Sequence, residues 1–210
     1  MEILIENYTK KIKNKTVLDH INYVFEEGKI YGLYGRNGSG KTMLLRALCG
    51  LILPTEGHVK IDDKIIGKDI EMPDSVGVII ENMKMFPEYT AYKNLKILSQ
   101  IKKKATDDDI RWALESVGLE ENANEKVKTF SLGMNQKLCI AQAIMEKPKI
   151  LLLDEPTNAL DQESIEKIRM LFIELKKQGS ILIIASHNLQ DLEMLSDKKI
   201  EMRNGLILIN

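Results

Sequence analysis

The segment Gly35-Arg36-Asn37-Gly38-Ser39-Gly40-Lys41-Thr42 fits the pattern G-x-x-x-x-G-K-[ST], and an apolar run, Ile30–Tyr34, leads straight into it. Residues of these types at this spacing suit the holding of a polyphosphate. Glycine at 35, 38 and 40 permits backbone conformations and close approach that a Cβ would block. The N–H groups of the loop, including those of Arg36, Asn37 and Ser39, can then turn inward around phosphate oxygens. The following helix, which begins with Met43, points its positive end at the same place. Lys41 brings a point charge to the β- and γ-phosphates, and the Thr42 hydroxyl is a ligand for Mg²⁺.

A second motif supplies carboxylates. The apolar run Ile150–Leu153 ends in Asp154-Glu155. In an open parallel sheet, ligands bind at the C-terminal ends of the strands, which is where this pair would stand. Asp154 can hold Mg²⁺ through water. Glu155 projects elsewhere and is the candidate to orient or deprotonate an attacking water. Together the two motifs imply ATP hydrolysis, or at least ATP binding.

These groups need elements to position them. Strands are expected at Glu2–Asn7 and Val17–Phe25, with a polar turn over Lys10–Lys15 between them. Further strands are expected at Ile30–Tyr34, His58–Asp62, Val76–Ile80, Ile150–Leu153 and Ile181–Ala185. Helices are expected at Met43–Leu48, Ser131–Met145, Ser164–Lys177 and Asn188–Leu195, and a hairpin over Lys199–Asn210 turned at Asn204-Gly205. From Ala91 to about Val127 the pattern is polar and helical, with Thr106 placed to cap a helix that opens on Asp107, Asp108 and Asp109. Strands alternating with helices give an α/β fold. The expected architecture is a P-loop NTPase core with a mostly parallel sheet, an N-terminal antiparallel β subdomain and an inserted helical subdomain over about residues 88–147. All of it belongs to one domain, residues 1–210.

Composition narrows the setting. Thirty Lys and Arg against 31 Asp and Glu leave a net charge of −1, which argues against nucleic acid as a partner. No apolar run is long enough to cross a membrane, and the N-terminus lacks the basic head and apolar stretch of a signal peptide. Cys49 and Cys139 sit in apolar, helix-like surroundings and match no metal spacing, so they read as buried reduced thiols.

The stretch Phe130-Ser131-Leu132-Gly133-Met134-Asn135-Gln136-Lys137 resembles the signature motif of ATP-binding cassette (ABC) ATPases, whose common form is Leu-Ser-Gly-Gly-Gln. Asp154-Glu155-Pro156-Thr157 is similar to the family's extended Walker B, Asn158-Ala159-Leu160-Asp161 to its D-loop, and Ser186-His187 to its switch histidine. The resemblance runs along the whole chain in family order. It implies a head-to-tail dimer of two copies, each ATP lying between the Walker A of one and the signature of the other. Ser131 and Gly133 would then meet the γ-phosphate of the partner's ATP, with Leu132 and Met134 beside them. His187 would contact the γ-phosphate, and Asp161 would link the two composite sites. The cofactors implied are ATP and Mg²⁺. Separately encoded transmembrane permease subunits are the implied partners, and the inner face of the cell membrane, on the cytoplasmic side, is the implied location.

Three motifs depart from the common pattern. Where the family's Q-loop glutamine touches the metal or the lytic water, this chain has Glu81, followed by Asn82. A glutamate keeps the acceptor oxygen but adds a charge and loses the NH₂ donor, so metal affinity and coupling should change. Where the family stacks an aromatic ring on adenine, the register gives Ile12, with Val17 next to the base. The loss of stacking should weaken nucleotide binding. Leu132 and Met134 make the mouth of the composite site more apolar. Glu81, the Ser-Leu-Gly-Met signature and Met85–Leu95 are similar to the cassettes of bacitracin-resistance and lantibiotic-immunity exporters. This resemblance implies export of a peptide antibiotic or related compound. A soluble cassette of the iron–sulfur assembly kind stays open as an alternative.

Overall fold

A computed structural model describes residues 1–81 and 83–208. Asn82 and the last two residues of the expected hairpin, Ile209 and Asn210, lie outside the described residues. The chain runs β1 (Glu2–Ile12), β2 (Lys15–Glu26), β3 (Ile30–Tyr34), α1 (Lys41–Leu48), β4 (Glu56–Ile61), β5 (Lys64–Ile65) and β6 (Val76–Ile79). It continues through α2 (Ala91–Lys102), α3 (Asp107–Ser116), a short 3₁₀ turn at Val127–Thr129, α4 (Leu132–Ile144) and β7 (Ile150–Asp154). The last elements are α5 (Gln162–Lys177), β8 (Ile181–Ala185), α6 (Leu189–Leu195), β9 (Lys198–Arg203) and β10 (Leu206–Leu208).

Two sheets form. One is antiparallel, in the order β2-β1-β4-β5; the other runs β10-β9-β3-β8-β7-β6. In the second sheet every pairing from β9 to β6 is parallel, and β10 alone pairs antiparallel, with β9. Its central strands are buried on both faces, which is why they read as unbroken apolar runs. The side-chain period of two divides them between two cores. Leu151, Leu153, Leu182 and Ile184 pack with α2 to α5, whereas Ile150, Leu152, Ile181 and Ile183 pack with α1 and the antiparallel sheet. The parallel sheet is thus the middle layer.

The polar turn expected over Lys10–Lys15 is shorter than its composition suggests. β1 and β2 stay paired as far as Ile12 and Lys15, leaving the turn to Lys13 and Asn14. Ile12 stands exposed among polar residues at this tip, so no apolar alternation marks it as strand. Asn7 and His20 bulge with φ of 47° and 45°, and the pairing register shifts beside each. The expected helical stretch is two helices. Thr106 and Asp109 form a reciprocal capping box at the start of α3, and Gly118 follows its end at φ 70°. Hydrogen-bonded turns, not helix, join Gly118 to Lys126.

Gly77 in β6 marks where helix and sheet come closest. A Cβ there would lie 1.9 Å from the backbone carbonyl oxygen of Ala143 in α4. Because the obstacle is backbone, no rotamer change relieves it. Gly77→Ala should therefore lower unfolding stability by about 1–3 kcal/mol, the usual range for overpacking, read as a fall in the urea midpoint. An unchanged midpoint would contradict this packing.

Candidate nucleotide site

The loop between β3 and α1 is shaped by glycines in the left-handed region. Gly35, Gly38 and Gly40 have φ of 144°, 77° and 112°. Gly35 also needs its missing Cβ, which would come 2.2 Å from the Met202 carbonyl oxygen in β9. Gly40 caps α1 without a side chain, so the helix begins at Lys41, two residues earlier than the apolar pattern suggests. The turn after β9 braces the loop, as the Gly205 N–H donates to the Ser39 carbonyl at 2.8 Å. Lys41 is buried, and its ammonium donates to the Gly35 carbonyl at 2.8 Å.

A cleft of about 610 Å³ opens over this loop. Its walls include Asn37 to Met43, Asp154 and Glu155, together with Lys15, Thr16 and Val17 from β2 and Asn204-Gly205 from the β9–β10 turn. A second cavity on the other side of the loop is lined by Gly35, Arg36 and Arg203 among others. Val17 therefore lies in the wall of the main cleft. Ile12 lies at the tip of the β1–β2 hairpin, exposed, and is not among the lining residues. Lys15, Thr16, Asn204 and Gly205 carry no phosphate-binding pattern, so their place in the wall appears only once the hairpins are folded against the loop.

The acidic groups arrive by strand register. β3, β8 and β7 are parallel neighbours, and Asp154 pairs with Ala185, so the residues after each strand share one edge. The Thr42 hydroxyl donates to Asp154 Oδ2 at 2.6 Å. Burial pushes the Asp154 carboxyl above its ordinary pKa, with the charges of Glu155 and Glu81 acting in the same direction, against the Thr42 hydrogen bond and Lys41. Glu155 leaves the strand in the left-handed conformation, φ 50°, which turns its side chain toward the residues after β8. Its carboxylate accepts from the His187 N–H at 2.9 Å and from the Ser186 hydroxyl at 3.2 Å, and His187 Nδ1 lies 2.9 Å from Glu155 Oε2. Glu81, also left-handed at φ 58°, meets Arg46 of α1 at 2.7 Å.

A hydroxyl and a half-buried carboxylate in contact, beside a loop of backbone N–H groups, fit Mg²⁺ with a nucleotide. Among the described residues no cluster of three or more His, Cys, Asp and Glu side chains could hold a metal by itself. Magnesium asks for little more than one or two protein ligands, since phosphates and waters fill its other positions.

The signature residues stand elsewhere. Ser131 caps α4 by accepting from the Met134 N–H at 3.2 Å, and Leu132 is 74% exposed. Gly133 lies so close to the loop after β7 that a Cβ would meet the Ala159 carbonyl at 2.9 Å. Gln136, quoted in the motif but given no role from sequence, donates to the Pro156 carbonyl at 2.9 Å and so ties α4 to that loop. Asp161 caps α5 through the Ser164 N–H at 2.8 Å, and its contacts with Ser164 hold its carboxyl below the usual range. Within one copy, none of Ser131, Leu132, Gly133, Met134 and Asp161 lines the nucleotide cleft. Both cysteines are free and buried, and burial pushes the Cys139 thiol up to about 11.

Sheet order, phosphate loop and strand-end carboxylates define a P-loop nucleotide hydrolase. The comparisons give the family: the model described as "ABC transporter" matches residues 18–158. The chain is 56% identical to the uncharacterized ABC transporter ATP-binding protein YybJ of Bacillus subtilis, over 97% of this chain and 93% of that one. It is 39% identical to the bacitracin transport ATP-binding protein BcrA of Enterococcus faecalis, over 94% of this chain and 65% of BcrA. It is 35% identical to the lantibiotic transport ATP-binding protein SrtF of Streptococcus pyogenes, over 92% of this chain and 83% of SrtF. Among solved structures, the ATP-binding cassette MJ0796, a dimer in a post-hydrolysis state bound to ADP and Pi, superposes with a TM-score of 0.87 at 25% identity, covering 99% of this chain and 97% of that one. The chain belongs to the ABC transporter family and is an ATP-binding subunit of its ATPase class. Among the described residues no helix is long and apolar enough to cross a membrane.

Of the two lysines in the cleft wall, Lys41 is the buried one, held at the start of α1 beside the glycine loop. Lys41→Ala should weaken ATP binding by about 10- to 100-fold, the loss of one or two charge-assisted hydrogen bonds, measured by calorimetric titration. ATP affinity equal to that of the native protein would contradict the assignment of the cleft.

Proposed function

We propose that the chain powers a separately encoded permease by hydrolysing ATP between two copies of itself. The observation that carries this reading is the shared strand edge, where Thr42 meets Asp154 and Glu155 meets His187. Magnesium would be held by Thr42 and Asp154, with Glu81 nearby, and would supply positive charge to the β- and γ-phosphate oxygens. Lys41 exchanges the Gly35 carbonyl for phosphate and offsets charge on the transferred group. Glu155 Oε2 takes the proton of the attacking water, and His187 holds that carboxylate and the γ-phosphate in line.

Ser131 to Met134 and Asp161 lie outside the cleft of their own copy, which supports a site completed by a second copy. The MJ0796 cassette is dimeric, which supports the same arrangement. Ser131 would present its hydroxyl and the N-terminus of α4 to the partner's γ-phosphate. Leu132, largely exposed in one copy, would be covered on closure. On the base side, Val17 would lie against the adenine, with Ile12 beyond it at the hairpin tip.

The permease would dock from the inner face of the membrane near Glu81. An open groove of about 480 Å³ there is lined by Leu51, Ile52, Val78, Ile80 and Met83 together with Arg46 and Gln142. The likeness to BcrA and SrtF supports export of a peptide antibiotic or a related compound.

Glu155→Gln keeps the shape and hydrogen-bonding reach of the side chain and removes the base. It should abolish turnover by at least about 100-fold, the lower end of general-base contributions, while ATP accumulates on a dimer seen by light scattering. Native turnover in this variant would remove Glu155 from its role. A stoichiometric polytopic protein co-purifying from detergent-solubilised membranes with the ATP-trapped variant would support transport; purely soluble partners would count against it.

A further inference from the structure

Each of the three carboxylates at the strand edge has a definite partner. Asp154 has the Thr42 hydroxyl, Glu155 has Ser186 and His187, and Glu81 has the guanidinium of Arg46. The third pairing is not a requirement of nucleotide binding. Arg46 lies one helical turn after Thr42 on α1, so it flanks the metal position from the same helix face. Glu81 follows β6, whose residue Ile79 pairs with Leu153 just before Asp154. Its charge is felt at Asp154, which places it within electrostatic reach of the metal position.

We propose that Arg46 is a positioning residue that holds the Glu81 carboxylate off the metal site, so that Mg²⁺ and Arg46 compete for it. The proposal rests on the nucleotide reading given above. Two features suit such an exchange. Glu81 is held at φ 58°, a conformation an L-residue other than Asn or Gly seldom keeps without a reason, and the ion pair with Arg46 supplies one. The pair is also open to solvent on the Glu81 side, where 60% of the side chain is exposed, against 32% for Arg46. Exposed ion pairs are weak, so a divalent cation arriving with its nucleotide can draw the carboxylate away. A glutamine at this position would keep an acceptor oxygen but carry no charge, so the charge-driven competition belongs to the acidic residue found here.

The test is a four-protein cycle: native, Arg46→Ala, Glu81→Gln and the double variant. Mn²⁺ replaces Mg²⁺, a non-hydrolysable ATP analogue replaces ATP, and free Mn²⁺ is followed by electron paramagnetic resonance. Arg46→Ala should tighten Mn²⁺ binding by about two- to fivefold, the size of a weak ion pair. It should have no such effect in the Glu81→Gln background, and Arg46→Lys should restore most of the native value. If Arg46 acted only by general repulsion of the metal, its removal would tighten Mn²⁺ binding in both backgrounds, at least as strongly in the one carrying Glu81→Gln. That result overturns the proposal, as does no change in either background. If the native protein failed to bind the analogue at all, the nucleotide reading itself would fall, and this inference with it.

Discussion

The acidic edge of the candidate site follows from strands ending together. β3, β8, β7 and β6 are parallel and in register, so the residues after each one reach the same edge. After β3 comes the phosphate loop, after β7 the Asp154-Glu155 pair, after β8 Ser186-His187, and after β6 the approach to Glu81. The strands are anchored by apolar packing on both faces, where Leu151 and Leu153 join one core and Ile150 and Leu152 the other. A shift of one residue in β7 would exchange these two sets and carry Asp154 away from Thr42. The chemistry thus depends on a register that the cores enforce.

Around that edge the chain uses left-handed backbone to aim groups that a regular strand would misdirect. Gly35, Gly38 and Gly40 do so in the phosphate loop, and Glu155 and Glu81 do so without the freedom of glycine. The non-glycine cases are stabilised by their side chains. Glu155 accepts hydrogen bonds from Ser186 and His187, and Glu81 is paired with Arg46. Strain at this edge is thus offset by specific side-chain contacts. Gln136 ties α4 to the loop after β7, and Asp161 caps α5 at the end of that loop. No residue of α4 or α5 lines the copy's own cleft.

Much of this was legible in the sequence, for physical reasons. The buried strands β3, β7 and β8 read directly because burial on both faces leaves only apolar residues. The phosphate loop read directly because its glycine spacing has few other uses. The Thr106 cap and the Asn204-Gly205 turn were visible because side-chain and turn chemistry is local. The tip of the β1–β2 hairpin was not, because Lys13 and Asn14 sit among polar residues on a solvated ribbon. Val17, expected beside the base, lines the cleft with Lys15 and Thr16, while Ile12 stands exposed at the hairpin tip. The Arg46–Glu81 pair was also hidden, since nothing local in either residue names the other. Asn204 and Gly205 were recognised as a turn but not as part of the cleft, because that role depends on how two sheets meet.

The central claim is that the site is shared between two copies, and subunit mixing tests it most directly. Lys41→Ala disables the phosphate loop, and Ser131→Arg disables the surface offered to the partner. Each variant alone should lack ATP turnover. A dimer of one of each has one site built from an intact phosphate loop and an intact Ser131. Mixing the two should therefore restore turnover that neither shows alone. A mixture as inactive as its components would contradict the shared site and with it the dimeric account of the signature residues.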